Sequence, residues 1–221
     1  MASGVRLIIM GRQGAGKGTQ CQRISRHYVV PHISTGEILR AAVREGSELG
    51  RAAKQVIENG SLVSDEIMIE IIRQRLGQDD ARTRGYILDG FPRTVAQAEA
   101  LDRLAGDRPI HAVIELDVPR ELVIERISAR RVCRDCGTNY VASGRDRQPW
   151  ICDACGGDVV QRGDDTAESV NRRLELYETQ TAPLRDYYGN QGRLVVIDGS
   201  SVPDQVFANL RSAIDLARAG Q

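Results

Sequence analysis

The chain has 221 residues, 41% of them hydrophobic and 27% charged, which suits one sizeable domain with a proper core and room for small inserted lobes. Thirty basic and thirty acidic residues cancel to a formal net charge of zero, removing any bulk electrostatic reason to expect a nucleic acid or an anionic membrane as partner. No apolar run approaches a membrane span and the N-terminus lacks a basic-then-apolar leader, so the expected location is the cytoplasm.

The first element is Val5-Arg6-Leu7-Ile8-Ile9-Met10, followed directly by Gly11-Arg12-Gln13-Gly14-Ala15-Gly16-Lys17-Gly18-Thr19. A short apolar run ended by Gly predicts a buried parallel strand, and the stretch from Thr19 to Tyr28, free of Gly and Pro, predicts a helix. Strand, glycine loop and helix in that order are the setting of a phosphate-binding loop. The helix start offers unpaired N–H groups and a partial positive charge, the glycines let the backbone close around phosphate oxygens, and Lys17 adds a point charge. The usual pattern places Ser or Thr directly after the lysine; here Gly18 intervenes and Thr19 follows.

Four further strands are predicted at Val29–His32, Tyr86–Leu88, Ala112–Leu116 and Leu194–Ile197, separated by helical pattern. That alternation predicts an α/β fold of three layers, a five-stranded parallel sheet covered by helices on both faces. Ligands bind such sheets at the carboxyl ends of the strands, where the polar stretches Ser34-Thr35-Gly36, Asp89-Gly90-Phe91-Pro92-Arg93, Asp117-Val118-Pro119 and Asp198-Gly199 fall. Asp89 ends an apolar strand, a place from which a carboxylate holds phosphate-bound Mg²⁺ directly or through water. The tail after Pro203 reads as a closing amphipathic helix.

Two segments interrupt the core pattern. From Ser34 to Val63 the apolar residues Ile38, Leu39, Ala42, Val43 and then Ala52, Ala53, Val56 repeat at helical spacing, predicting a small helical lobe. From about Val132 to Asp165 the chain is rich in Gly, Cys, Asp and Arg and poor in aliphatic residues, too long for a structureless loop. This second segment holds Cys133, Cys136, Cys152 and Cys155, two Cys-x-x-Cys-Gly knuckles fifteen residues apart. The spacing matches a four-thiolate zinc site, which leaves the metal no open position and makes it structural; two disulfides or four free thiols are the alternatives. The fifth cysteine, Cys21, reads as a small core residue. Arg126 and Arg130 lie four apart in a segment, Glu121 to Arg131, that reads as a helix, so both should project from one face. Arg162 and Arg173 follow on the other flank of the cysteine segment, where guanidinium forks on a mobile cover would reach a phosphoryl group.

With these residues in view, the sequence resembles the adenylate kinases, in the bacterial form with a long zinc-bearing lid, over essentially its whole length. The resemblance rests on Gly11 to Thr19, Ile33-Ser34-Thr35-Gly36, Leu88-Asp89-Gly90-Phe91-Pro92-Arg93-Thr94 with Gln97, Arg126, Arg130-Arg131, and Arg162 with Asp164-Asp165. It implies a P-loop NTPase-type fold with a core of 1–33, 64–129 and 166–221, a nucleoside-monophosphate lobe of 34–63 and a lid of 130–165. It also implies a monomer that converts ATP and AMP reversibly into two ADP, using Mg²⁺ with ATP and a structural Zn²⁺. By the same resemblance ATP would lie on Gly14, Ala15, Gly16, Lys17, Gly18, Thr19, Arg126, Arg130, Asn139 and Tyr140. AMP would lie on Thr35, Gly36, Arg40, Ser61, Leu62, Val63, Gly90, Arg93, Gln97, Arg162 and Arg173. Lys17, Arg93, Arg126, Arg130, Arg162 and Arg173 would carry the chemistry. Arg12 and Gln13 depart from the family, which has smaller residues or proline there, as do Glu37 and Asn171, where Asp and Arg are common. A kinase for another nucleoside monophosphate is the near alternative. A nucleotide-dependent switch or zinc-ribbon nucleic-acid binder is the distant one, and no Asn-Lys pair of a guanine-reading motif occurs in the chain.

Overall fold

All five side chains of strand β1 (Arg6–Met10) are buried. Successive residues of a strand face opposite ways, so Leu7 and Ile9 enter one apolar cluster while Ile8 and Met10 enter another. An unbroken apolar strand is stable only where helices cover both faces of its sheet. The computed structural model describes residues 4–59, 61–142 and 150–220, and in it β1 is the middle strand of a five-stranded parallel sheet. The others are β2 (His32–Ser34), β3 (Tyr86–Asp89), β4 (Ala112–Asp117) and the last strand of the chain, β8 (Leu194–Asp198), in the order β2-β3-β1-β4-β8. The chain leaves β1 toward one side and later returns to pair its other side with β4, which opens a crevice at the carboxyl end of β1.

Helices α1 (Lys17–Tyr28), α7 (Arg120–Ala129), α8 (Ala167–Leu176) and α10 (Pro203–Ala219) bury Ile24, Val123, Leu174 and Leu210 on the first face. On the second face α4 (Asp65–Leu76), α5 (Asp79–Arg84), α6 (Val95–Ala105) and α9 (Leu184–Gly189) bury Ile72, Ala81, Leu101 and Leu184. One carboxylate sits inside this apolar frame. Glu115 of β4 is buried, accepts from the Tyr177 hydroxyl and forms an ion pair with Arg185 at 2.6 Å, so the π-helical turn Tyr177–Thr181 is tied to the sheet.

The segment between β2 and α4 is a helical hairpin, α2 (Thr35–Glu45) and α3 (Glu48–Glu58). Ser34 caps α2 by accepting the Glu37 N–H, the S-x-x-E arrangement of a capping box. The end of the hairpin touches the core where the Ser169 hydroxyl donates to the Glu58 carbonyl at 3.0 Å. The cysteine segment holds a three-stranded antiparallel sheet, β6-β5-β7, built from β5 (Arg130–Cys133), β6 (Asn139–Val141) and β7 (Val159–Val160); residues 143–149 of that segment lie outside the described residues.

Two expectations are corrected. The second strand does not run over Val29–His32: Val29 adopts a left-handed conformation (φ 55°) that closes α1, so the strand starts only at His32 and takes in Ser34. The helix expected over Glu121 to Arg131 stops at Ala129, because Arg130 turns extended and opens β5. Arg126 and Arg130 therefore do not share a helix face.

Ile8 is fully buried in the middle strand, and truncation there leaves a cavity the surrounding sheet cannot close. Ile8→Ala is expected to cost about 2–5 kcal/mol, read as a shift in the urea midpoint.

Candidate active site

The glycine loop closes the gap between β1 and α1. The Ala15 N–H donates to the Arg12 carbonyl at 3.1 Å, and the backbone passes so close to α7 that a Cβ on Gly14 would lie 2.9 Å from the Val123 carbonyl oxygen. Helix α1 begins at Lys17, two residues earlier than expected, with Gly16 as an N-cap that brings no side chain and no acidic residue in the first turn. Its N-terminal field is left for an external anion. The Lys17 ammonium donates to the carbonyls of Gly11 (2.7 Å) and Arg12 (2.9 Å), so it lies folded against the loop's own backbone. Burial lowers its pKa, Asp89 opposes that shift, and Arg93 and Arg130 add to it.

On the other side of β1, Arg93 is fixed by its neighbours. Its backbone N–H donates to Gln97 Oε1 at 2.8 Å, its carbonyl accepts from Thr181 at 3.0 Å, and its Nε donates to the Gly90 carbonyl at 2.8 Å. Gln97 Nε2 and the Thr94 hydroxyl donate to the two oxygens of Asp65, both at 2.7 Å, which sets the direction of the Gln97 amide. The Thr35 hydroxyl donates to the Gly90 carbonyl at 2.9 Å, and the Arg40 guanidinium lies over Gly36. Ser61, Leu62 and Val63 are half-buried between α3 and α4, with the Ser61 N–H returned to the Val56 carbonyl. Asp65 was not legible as a site residue, since an acidic residue opening a helix is ordinary dipole chemistry.

The expected arginines then divide. Arg40, Arg93, Arg130, Arg162 and Arg173 lie within electrostatic reach of one another in a chain that includes Lys17. Four carboxylates face these six cations: Asp89, Asp164, Asp165 and, beside Arg40, Glu37. Arg130 is ion-paired with the buried Asp165, and Arg173 with Asp164 at 2.8 Å. Burial and then its cationic neighbours, Arg130 first, lower the Arg162 pKa to about 10. Arg126 stands apart, donating to the carbonyls of Gly199 (2.9 Å) and Ser200 (3.3 Å) beyond β8.

Both departures in the glycine loop are engaged. Arg12 Nε donates to Glu178 at 2.8 Å and its guanidinium covers the Tyr177 ring. Gln13 Nε2 donates to Asp165 at 3.0 Å while its Oε1 accepts from Arg173 at 3.3 Å, so the loop rim is tied to both sides of the cation cluster. Asn171 accepts from Arg120 at 3.2 Å on the exposed side of α8, away from this cluster.

Asp89 ends β3 beneath the loop, with its Oδ2 3.3 Å from the His32 ring. Burial pushes its carboxyl up, but His32, Lys17 and Arg93 outweigh that and hold it below the usual carboxylate range. It is thus ionised and fit to hold Mg²⁺ brought by a nucleotide.

In the cysteine segment the four thiols converge within 4.8 Å of one another and none is in a disulfide. Cys133 and Cys155 are 3.4 Å apart, Cys136 and Cys152 3.6 Å, against the sulfur spacing of about 3.8 Å that tetrahedral bonds of about 2.3 Å require. The donor set fits a zinc ion. Each knuckle closes in the same way, Gly137 N–H to the Cys133 carbonyl and Gly156 N–H to the Cys152 carbonyl. Tyr140 turns its hydroxyl to Cys152 Sγ at 3.1 Å and packs its ring near Trp150, while Asn139 accepts from Arg162 at 3.1 Å.

A parallel sheet with a glycine loop at its central crevice, a half-buried lysine and a surplus of arginines defines a P-loop nucleotide-binding protein with two lobes beside its phosphate site. The adenylate kinase family profile matches residues 9–193. Curated adenylate kinases are close relatives. That of Carboxydothermus hydrogenoformans is 46% identical over 95% of this chain and 99% of its own length. That of Moorella thermoacetica is 50% identical over 92% and 95%, and that of Methanosarcina acetivorans 47% identical over 94% and 97%. The chain belongs to the adenylate kinase family, and it is a phosphotransferase. Among the described residues no helix is long and apolar enough to cross a membrane.

The Asp164 carboxyl is pushed up by burial but held low overall by Arg173, Arg40 and Arg162. A depressed carboxylate contributes stability that is complete above about pH 4 and is lost as the pH falls through its lowered value. Asp164→Asn is therefore expected to flatten the acid limb of a plot of urea midpoint against pH, with the difference from wild type shrinking below about pH 4.

Proposed function

We propose that the protein transfers the terminal phosphoryl group of MgATP to AMP, reversibly, giving two ADP, and that it does so as a monomer in the cytoplasm. The observation that carries this reading is the surplus of charge: Lys17 and five arginines meet at one crevice with three aspartates and Glu37 as counterions. Two nucleotides brought phosphate to phosphate would supply the missing negative charge.

The placement of these residues supports a division of labour. The α1 N-terminus and the loop amides from Gly14 to Thr19 would hold the outer phosphates of ATP, with Lys17 exchanging its backbone carbonyls for phosphate oxygens. Arg40 and Arg93, with Thr35, Gly36, Gly90, Gln97 and the backbone of Ser61 to Val63, would hold AMP in the 34–63 lobe and at the end of β3. An AMP phosphate oxygen attacks the γ-phosphorus of ATP, the bond from that phosphorus to the β-γ bridging oxygen breaks, and ADP leaves on each side. No protein nucleophile is needed, so the chain's task is alignment, charge neutralisation and exclusion of water. Arg130, Arg162 and Arg173 would meet the migrating group, released from Asp164 and Asp165 as it arrives. Arg126, turned toward Gly199 and Ser200, and Asn139, hydrogen-bonded to Arg162, are assigned to the ATP side. Tyr140, facing Cys152, would help hold the lid surface there. Mg²⁺ bound with ATP would neutralise phosphate charge, held by Asp89 directly or through water. Zn²⁺ on Cys133, Cys136, Cys152 and Cys155 would staple the 130–165 lid.

Lys17→Met is expected to lower ADP formation by about 10²–10³-fold or more with the far-UV circular dichroism and melting unchanged. Coupled assays with AMP, GMP, CMP and UMP should show AMP as the preferred acceptor; equal rates with all four would overturn AMP as the specific acceptor. Stripping the zinc with a chelator should speed proteolysis within 130–165 well before the core melts.

A further inference from the structure

Three side chains of different chemistry meet beneath the phosphate loop. Cys21 on α1, His32 at the start of β2 and Asp89 at the end of β3 each present a ligand atom within 4.8 Å of the others. Rigid elements deliver them. Parallel pairing of β2 with β3 sets Ser34 opposite Asp89 and brings His32 Nε2 to 3.3 Å from Asp89 Oδ2, while α1, entering directly from the phosphate loop, lays Cys21 over the pair. The Cys21 side chain is fully buried, whereas those of His32 and Asp89 remain 11% and 13% exposed, so the group is not sealed from solvent. Nothing in the phosphoryl-transfer scheme uses the thiol or the imidazole.

We propose that Cys21, His32 and Asp89 form a second metal site, distinct from the four lid thiols, that takes one thiophilic divalent cation of the Zn²⁺ class. A thiolate, an imidazole nitrogen and a carboxylate oxygen are the donors a borderline-soft ion selects, and three protein ligands leave its fourth position open to the crevice. Mg²⁺ is hard and dehydrates reluctantly, so it would use the Asp89 oxygen alone. On binding, the S–H bond of Cys21 breaks, its electron pair forms the sulfur–metal bond and the proton leaves to solvent. The neutral imidazole contributes its lone pair, and the carboxylate turns one oxygen from His32 to the metal. Because one proton leaves as the dication enters, the local charge rises by one unit and not two, which matters beside Lys17, Arg93 and the single acidic neighbour Glu37. Lys17 donates to the Gly11 and Arg12 carbonyls and so engages the loop backbone.

One consequence rests on the proposed role of Asp89: a metal that takes this carboxylate denies it to MgATP, so the ion should inhibit turnover in competition with MgATP. The site itself does not rest on that role, and the two are separable by experiment. The full chain, its lid thiols loaded with one equivalent of Zn²⁺, is titrated with Co²⁺, which a zinc tetrathiolate resists. Wild type is expected to take up one further metal, develop a thiolate-to-cobalt charge-transfer band, and lose ADP formation in a way that MgATP relieves. Cys21→Ala should keep its metal-free turnover, lose the band and need about tenfold or more Co²⁺ for the same inhibition. If Cys21→Ala does not fold, Cys21→Ser serves, since a hydroxyl is a poor ligand for a soft ion. A wild-type protein that takes up no second metal, or a variant that takes it up with the same band and affinity, overturns the site. Uptake that requires Cys21 but leaves turnover untouched upholds the site and overturns the role given to Asp89.

Discussion

Like charges crowded out of water repel strongly, and a fold that gathers them must provide counterions or wait for a ligand that does. Lys17, Arg40, Arg93, Arg130, Arg162 and Arg173 form such a gathering, and Asp89, Asp164, Asp165 and Glu37 answer only part of it. The two ion pairs with the lid-flank aspartates and the Gln13 bridge keep the arginines aimed at the crevice in the meantime. Affinity for phosphate would then come at little cost in side-chain ordering, because the guanidinium groups are placed before the ligand arrives.

The lid shows how a segment with few aliphatic residues can still place a side chain firmly. Among the described residues its apolar cluster is Cys133, Cys152 and Val159 with Tyr140 and Trp150 against them. The four thiols meet beside that cluster, and Cys133 ends the same short strand that Arg130 begins. A metal there would stiffen β5 and, through it, the arginine three residues away. A metal held there would couple structural and phosphate chemistry along one strand, which would be a reason for a four-thiolate site to sit so near the crevice without taking part in the reaction.

On the opposite side the same end is reached by hydrogen bonds. Asp65, at the start of α4, holds Thr94 and Gln97 at the start of α6, and Gln97 holds the backbone of Arg93. Thr94 at the same time caps α6 by accepting the Gln97 N–H. Helix capping and the placement of Arg93 therefore use the same residues, and a change at Asp65 would be felt at the arginine through Gln97. The trio of Cys21, His32 and Asp89 follows this logic, since strand pairing and helix docking set its geometry before any ligand is considered.

The amino-acid sequence alone determined what short-range physics controls. The apolar runs of β1, β3 and β4 read as strands buried on both faces, the glycine loop as a strand-to-helix turn with a bare N-terminus, and the paired Cys-x-x-Cys knuckles as tight turns. Where a choice depended on contacts between distant residues, tertiary structure decided. Val29 and Val30 read as strand, yet Val29 adopts a left-handed turn because α1 must close before β2 can align with β3. Arg126 and Arg130 read as one helix face, yet the lid sheet draws Arg130 out of the helix and across to Asp165, 35 residues further on. Gln13 meets Asp165 from 152 residues away, and Asp65 meets Gln97 from 32. Such partners carry no local pattern; only the packing of the sheet and its lobes brings them within hydrogen-bond distance.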